Sequence, residues 1–273
     1  MPIEVRSLAE WEAAGQPDLL SVLIPAHNEE GHIEETVRTL DTALNAASIR
    51  HEILVVNDNS RDRTRAILDG LTAEIPALRV VDNAKPNGFG FAVRRGFSEF
   101  SGSAIAIVMA DGSDLPSDVV AFYRKLQDGY DCVFGSRFIA GGRVLDYPRP
   151  KLMLNRIGNQ IIRLLFVSRY NDFTNAFKMY RRRVIGGVQP ILSQHFNLTV
   201  ELPLKAMVRG YMYAVVPNTW TNRREGISKF KIREMGSRYF FIILYCLLEK
   251  WLAQGDYSKR EDLREGQLQV WPR

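Results

Sequence analysis

Asp111 and Asp114 bound a four-residue turn, Asp-Gly-Ser-Asp, at the end of the apolar run Ala104 to Ala110. A short apolar run closed by turn residues reads as a strand buried on both faces. Two carboxylates at the end of such a strand are costly unless something positive meets them. Oxygen ligands on a tight turn suit a hard divalent cation, Mg²⁺ or Mn²⁺. The same residues also read as a turn leading into a helix, with Asp114 or Ser117 as its N-cap. Four more polar clusters follow apolar runs: His27-Asn28-Glu29, Asp58-Asn59-Ser60, Asn83, and Gly135-Ser136-Arg137.

The elements that must hold these clusters alternate. Strands are expected at Leu19 to Ile24, Glu52 to Val56, Leu78 to Val81, the central run, and Asp131 to Phe134. Between them helical spacing appears over Glu29 to Ala47, Thr64 to Ala73, Phe89 to Phe100 and Val119 to Gln127. Strand and helix in alternation predict a doubly wound, mostly parallel sheet. Ligands of such sheets lie beyond the carboxyl ends of the strands, where all five clusters fall, so a nucleotide-type ligand is expected. No GxxxxGK[ST] is present, which excludes a P-loop. The only Gly-x-Gly opening a helix, Gly88-Phe89-Gly90, follows the third strand and suits close backbone approach by anionic groups rather than a dinucleotide.

The 273 residues, 46% hydrophobic and 25% charged, fit one large α/β domain or one domain with an appendage. A net charge of +5 points to anionic partners: nucleotide, phosphate, membrane surface or nucleic acid. Cys132 and Cys246 lie apart in apolar surroundings and read as buried free thiols. The acidic first fifteen residues do not read as a signal peptide. The longest apolar run, Phe240 to Leu248, is about half of a membrane span. A cytoplasmic protein without its own transmembrane segment is therefore expected. Beyond Arg137, Lys151 to Phe166 reads as an amphipathic helix with Arg156 and Arg163 on its fringe. It suits a membrane interface or a core-facing position equally. Further elements are expected at Asn175 to Tyr180 (strand), Asn197 to Arg209 (helix), Tyr213 to Val216 (strand), and Met235 to Ala253 (apolar helix). The division expected is 1–233 for the main domain and 234–273 for an apolar helix with a charged tail.

Three stretches carry a resemblance: Ser21-Val-Leu-Ile-Pro-Ala-His-Asn-Glu-Glu30, Val55-Val-Asn-Asp-Asn-Ser60 and the acidic turn. Together they resemble family-2 glycosyltransferases of the GT-A fold. Gly135-Ser-Arg137, Asp172-Phe-Thr-Asn-Ala-Phe177, Glu201 within a helix, and Arg223-Arg-Glu-Gly-Ile-Ser-Lys229 are similar to the dolichol-phosphate mannose synthase branch, whose acceptors are polyprenyl phosphates. The resemblance spans Ser21 to Lys229. It implies that Pro25, His27, Glu29, Asp58, Asn83 and Gly88 border the nucleotide of a nucleotide-diphosphate sugar. It implies that Asp111 and Asp114 hold the metal, and that Arg137, Arg223, Ser228 and Lys229 bind donor and acceptor phosphates. Glu201 is implied as a base or acceptor-site residue, with pairing to a cation as the other reading. Two departures stand out. The family's usual Asp-x-Asp is here Asp-x-x-Asp, which favours Asp111 as the ligand, and no transmembrane helices follow.

Inverting transfer of one sugar to a polyprenyl phosphate fits the absence of the Gln-x-x-Arg-Trp that processive members carry. A phosphate is already an oxyanion near neutral pH and needs no base, unlike an alcohol. The resemblance also implies a peripheral position on the cytoplasmic membrane face, with a homo-oligomer or a membrane-protein partner as further possibilities. Three rivals differ: transfer to a hydroxyl of lipopolysaccharide or another glycan, a catalytically dead membrane scaffold, and a basic nucleic-acid-binding protein. The last requires aromatic residues interleaved with a basic stripe, whereas here the basic residues flank apolar helices, so no nucleic acid is expected.

Overall fold

The computed structural model describes residues 15–221, 232–253 and 255–257. Its frame follows from continuous apolar strands. In β1 (Gln16–Ala26) successive side chains enter opposite faces: Leu20, Val22 and Ile24 join one core cluster and Leu23 the other. Parallel neighbours continue both layers. β2 (His51–Asn57) sets Leu54 beside Leu23, and β4 (Gly102–Ile107) sets Ile107 on its other side. Strands fed on both faces in this way need helices on both, which the crossovers supply: α1 (Ile33–Ala46), α2 (Thr64–Glu74), α3 (Phe89–Glu99) and α4 (Pro116–Gln127). α1 shows how the sequence places them, burying Ile33, Val37, Leu40 and Leu44 at helical spacing.

With β3 (Leu78–Asp82), β5 (Cys132–Ser136), β7 (Lys178–Arg181) and β8 (Tyr213–Pro217), the sheet runs β3-β2-β1-β4-β7-β5-β8. Every pairing is parallel except those of β7, which lies antiparallel between β4 and β5. This gives the mixed α/β, mostly parallel sheet expected. Two pieces were not foreseen. The short helix α6 (Arg182–Gly187) follows β7 directly, and β6 (Arg143–Leu145) pairs with β9 (Thr219–Thr221) in a separate two-stranded sheet. Each is too short to show a period in sequence.

α5 (Arg149–Phe166), α7 (Leu198–Val208) and α8 (Ile232–Leu252) complete the described residues. α8 buries Ile242, Cys246 and Leu247 in the cluster that also holds Leu23 and Phe134. The buried pair Arg209–Glu249, 2.7 Å apart, pins α8 to the end of α7. Both cysteines are free and buried. No helix among the described residues is long and apolar enough to cross a membrane.

Candidate active site

The five clusters meet along one edge because parallel strands end their carboxyl termini together. Asp58, just past β2, is buried and ties three segments. Its carboxylate accepts from the Asn83 amide at 2.8 Å and from the Gly88 N–H at 2.8 Å. Its backbone oxygen meets His27 Nδ1 at 2.7 Å. Beside it Asn28 and Asn59 adopt left-handed backbone, which asparagine tolerates, and the Glu29 N–H donates to Thr64 Oγ1 at 2.8 Å. Pro25 and Glu29 are half-buried and His27 is exposed. His27, Asp58, Asn83 and Gly88 are thus hydrogen-bonded together at this edge, with Pro25 and Glu29 on the same stretch as His27.

The glycines next to it are needed for packing within the chain itself. A Cβ on Gly90 would stand 2.5 Å from the Gln194 carbonyl carbon, and one on Gly88 would stand 3.0 Å from His195 Nδ1. The close approach they permit is therefore made by the chain's own segment 193–195. Phe89 and Phe196 stack across the same contact with centroids 4.3 Å apart.

The acidic turn leaves β4 with Gly112 at φ +67, a value that favours glycine. Asp111 is half-exposed, and its Oδ1 accepts the Ser113 N–H at 3.2 Å. Asp114 is buried behind it and accepts the Met109 N–H at 3.0 Å. Burial pushes the Asp114 carboxyl up to about 7, against the pull of the Met109 N–H, and the Asp111 charge adds to the rise. Ser113 Oγ is buried with no partner among the described residues. The helix-cap reading does not hold: α4 starts after Leu115 with Pro116 in its first turn, and no side chain caps it. Two hard carboxylates, one half-exposed and one buried behind it, fit a divalent cation that would take its other ligands from a diphosphate. No cluster of three or more His, Cys, Asp or Glu occurs among the described residues, so the turn alone would not enclose an ion.

Arg137 does not reach into the crevice as an unengaged cation. Asp172 holds it by Nε at 2.8 Å, by Nη2 at 2.7 Å and by the backbone N–H at 3.0 Å. Burial opposes its charge, and Asp172 outweighs burial and raises its pKa. The guanidinium lies 5.3 Å from the Phe138 ring and 5.9 Å from Trp220. Trp220 belongs to β9, which docks on the acidic turn: the Thr221 N–H donates to Ser113 O at 3.2 Å and the Thr219 N–H to Asp118 Oδ2 at 2.9 Å. Arg223, Ser228 and Lys229, expected at phosphates, lie outside the described residues.

Glu201 stands apart from the expected base. It is wholly buried on α7, accepts the N–H groups of Leu192 and Ser193 at 2.8 and 2.7 Å, and pairs with Lys205 at 2.6 Å. Lys205 also bonds Pro190 O. Pairing with a cation was the other reading of Glu201, and it is the geometry found. A carboxylate so enclosed offers no face to an acceptor; it holds the 190–195 segment in place instead.

Three residues near the site were not singled out from sequence. Asp172 sat within a quoted stretch without a role, and only the fold brings it to Arg137. Lys178, buried in β7 between Ile107 and Phe134, donates to Phe173 O at 3.1 Å and to Asn175 O. Its signal was a lone lysine in an apolar strand. Trp220 had no signal, because its neighbours come from distant segments.

The chain is similar to known proteins in sequence and in fold. A family model for glycosyl transferase family 2 matches residues 21–188. A dolichol-phosphate mannosyltransferase of Pyrococcus furiosus is 31% identical over 217 residues, 78% of this chain and 59% of its own length. This chain thus spans less than two thirds of that relative. A polyprenol monophosphomannose synthase of Mycolicibacterium smegmatis is 30% identical over 80% of this chain and 86% of its own. An undecaprenyl-phosphate mannosyltransferase of Micrococcus luteus is 26% identical over 84% and 94%. Among solved structures, glucosyl-3-phosphoglycerate synthase from Mycobacterium tuberculosis in complex with UDP superposes with a TM-score of 0.62 at 17% identity, over 90% of this chain and 84% of that one. The same enzyme has been solved with Mn²⁺, UDP and glucosyl-3-phosphoglycerate, at a TM-score of 0.61.

Proposed function

This chain belongs to glycosyl transferase family 2, and from that premise we propose that it moves one sugar from a nucleotide-diphosphate sugar to a polyprenyl phosphate at a membrane surface. The observation that carries the reading is the docking of β9 on the acidic turn. It brings Trp220, 5.9 Å from the Arg137 guanidinium, and the Arg137–Asp172 pair up to the turn that carries Asp111 and Asp114. Anionic substrates on both sides of a transfer need such a concentration of charge. The names of the relatives, each a transferase acting with dolichol, polyprenol or undecaprenyl phosphate, support the acceptor class.

In this reading Pro25, His27, Glu29, Asp58, Asn83 and Gly88 bind the nucleotide. Asp111, with Asp114 behind it, holds a divalent cation, Mg²⁺ or Mn²⁺, whose contribution when bound is to neutralise charge gathering on the leaving diphosphate. Asp172 keeps the Arg137 guanidinium oriented beside it, and Arg223, Ser228 and Lys229 meet acceptor phosphate. A phosphate acceptor needs no base, which agrees with the enclosed position of Glu201. The chain divides functionally at about residue 234, the catalytic part before and the surface-seeking helix after.

Membrane contact rests on two apolar faces. α5 turns Asn159, Ile162 and Phe166 inward and leaves Met153, Leu154, Ile157, Ile161 and Leu164 exposed, Leu164 to 75%. α8 leaves Phe240, Phe241, Leu244, Leu248 and Trp251 exposed. The Lys250 ammonium donates to Phe166 O at 3.0 Å, so the two helices are adjacent. An apolar face this broad beside arginines suits a peripheral seat on a bilayer, on the cytoplasmic side in this reading. Cover by a second copy or a membrane protein is the other outcome. The deciding experiment incubates UDP-glucose and GDP-mannose with a short fluorescent polyprenyl phosphate, a hydroxyl glycan acceptor, and Mg²⁺, Mn²⁺ or EDTA. Metal-dependent product on the lipid phosphate alone is expected. Product only on the glycan, or none with any donor, would overturn the acceptor assignment.

A further inference from the structure

We propose that Asn159 and Thr174 are positioning residues for the transfer: they tie α5 to the loop that carries Asp172, and through Asp172 they fix the Arg137 guanidinium. The inference rests on the transferase reading above, in which Arg137 meets substrate phosphate, and it assigns a task to the inward face of α5.

The side chains that α5 buries are Asn159, Ile162 and Phe166. The two apolar ones are what an amphipathic helix needs to sit on a core. A wholly buried carboxamide beside them costs free energy unless its bonds are made. Outside the helix they are made to one residue. The Asn159 amide donates to Thr174 Oγ1 at 3.0 Å, and its oxygen accepts the Thr174 N–H at 3.3 Å. Asn155, one turn earlier, donates to the same hydroxyl at 2.8 Å and accepts from Asn159 at 2.9 Å. Apolar contacts alone let a helix slide or roll, whereas a satisfied polar network fixes one arrangement.

Thr174 stands two residues after Asp172. The other bonds of this loop run to the end of β5 and within the loop itself. Ser136 Oγ donates to Asn171 at 2.6 Å, Tyr170 OH to Asp172 O at 2.5 Å, and the Asn175 amide to Gly135 O at 3.0 Å. Thr174 is where the loop meets α5. Asp172 in turn holds Arg137 by three bonds, so a shift of the loop is a shift of the guanidinium. α5 reaches Arg137 by a second route. The Phe138 ring lies 5.3 Å from the Arg137 guanidinium and 5.4 Å from that of Arg156, an exposed residue of α5. A cation that must meet a reacting phosphate to within about 0.5 Å gains from such outer support.

The test compares Thr174→Val, which keeps the shape and removes the hydroxyl, with Thr174→Ser, which keeps the hydroxyl. The assay uses Mn²⁺, UDP-glucose or GDP-mannose, and a fluorescent polyprenyl phosphate. Thr174→Val should lower kcat about tenfold, and Thr174→Ser should stay within about threefold of wild type. The thermal midpoint of Thr174→Val should fall by only about 2–4 °C. Arg137→Lys has no fork for Asp172 to hold, so in that background Thr174→Val should cost less than about twofold further. Hydrogen exchange reads the same link without turnover. The Arg137 N–H, held by Asp172, should exchange about tenfold faster in Thr174→Val, while the Gly88 N–H, held by Asp58, should not change. Four results would overturn the inference and leave Thr174 a packing residue: wild-type turnover in Thr174→Val, no rescue by Thr174→Ser, an undiminished loss in the Arg137→Lys background, or equal acceleration at both amides. Wild type that transfers no sugar would instead overturn the parent reading and the catalytic part of this one. The exchange data would then still decide whether α5 holds Arg137.

Discussion

Replacing Asp172 by asparagine should destabilise the protein more than removing Asp172 and Arg137 together. The side chains of Arg137 and Asp172 are 7% and 0% exposed, so neither charge has water to fall back on. The carboxamide introduced by Asp172→Asn would turn an amide donor towards a guanidinium that only donates, and leave the Arg137 charge buried without its counterion. Breaking a buried pair on one side costs about 3–5 kcal/mol, whereas replacing both partners with apolar side chains of similar volume is often near neutral. An unfolding entropy of about 2.1 cal/mol/K per residue gives roughly 0.57 kcal/mol/K for 273 residues, hence a fall in Tm of about 5–9 °C for Asp172→Asn. Arg137→Met with Asp172→Leu leaves only the backbone N–H of residue 137 without its acceptor and should lie about 1–3 kcal/mol below wild type. Guanidinium titrations followed by tryptophan fluorescence, with calorimetric scans, measure both. Turnover should be lost in the single and in the double variant, since Arg137 is misplaced in one and absent in the other. A single variant that loses under about 1 kcal/mol, or a double variant no more stable than the single, would refute the claim that Asp172 serves to hold a buried charge in place.

Asp111→Asn should lower turnover by about two orders of magnitude or more with the fold intact, and EDTA should do the same to wild type; activity indifferent to both would remove the metal from the site. Gly90→Ala should destabilise by about 1–3 kcal/mol and raise KM for the nucleotide sugar, because its new methyl meets backbone at 194 rather than a flexible side chain; a neutral alanine would mean the 193–195 segment moves freely. Lys178 is drawn down by burial from 10.5 to about 7. Between those values the unfolded chain holds a proton that the folded chain has released, so stability should rise with pH across that window, and Lys178→Met should flatten the slope in chemical denaturation at successive pH values. Finally, the protein should float with vesicles containing anionic lipid and less so at high salt. Arg156→Glu with Arg163→Glu should abolish flotation and spare nucleotide binding, and wild type that stays soluble at every composition would rule out direct docking.

How much of this could be read from residue order divides along a physical line. Strands such as Leu20 to Ile24 and helices such as α1 announce themselves because backbone geometry imposes a period on which side chains are buried. The site edge was legible for the same reason: once the strands are parallel, the ends at His27, Asp58, Asn83, Asp111 and Arg137 must gather. Sequence left open which of Asp111 and Asp114 would be the principal ligand; the structure half-exposes the one and buries the other. What sequence left open were choices between partners far apart in the chain. Glu201 could be a base or an ion-pair member until Lys205 and the 192–193 amides were seen to enclose it. The Gly88-x-Gly90 pair signalled a close approach but not that residues 193–195 make it. Lys151 to Phe166 is amphipathic under either reading, and only the packing of Ile162 and Phe166 shows that the broader apolar side faces outward. Local order determines period and turn, which depend on residues within a few positions of each other. Tertiary structure decides which charge neutralises which, and which apolar face is left uncovered, because those energies depend on distances between segments that no local pattern encodes.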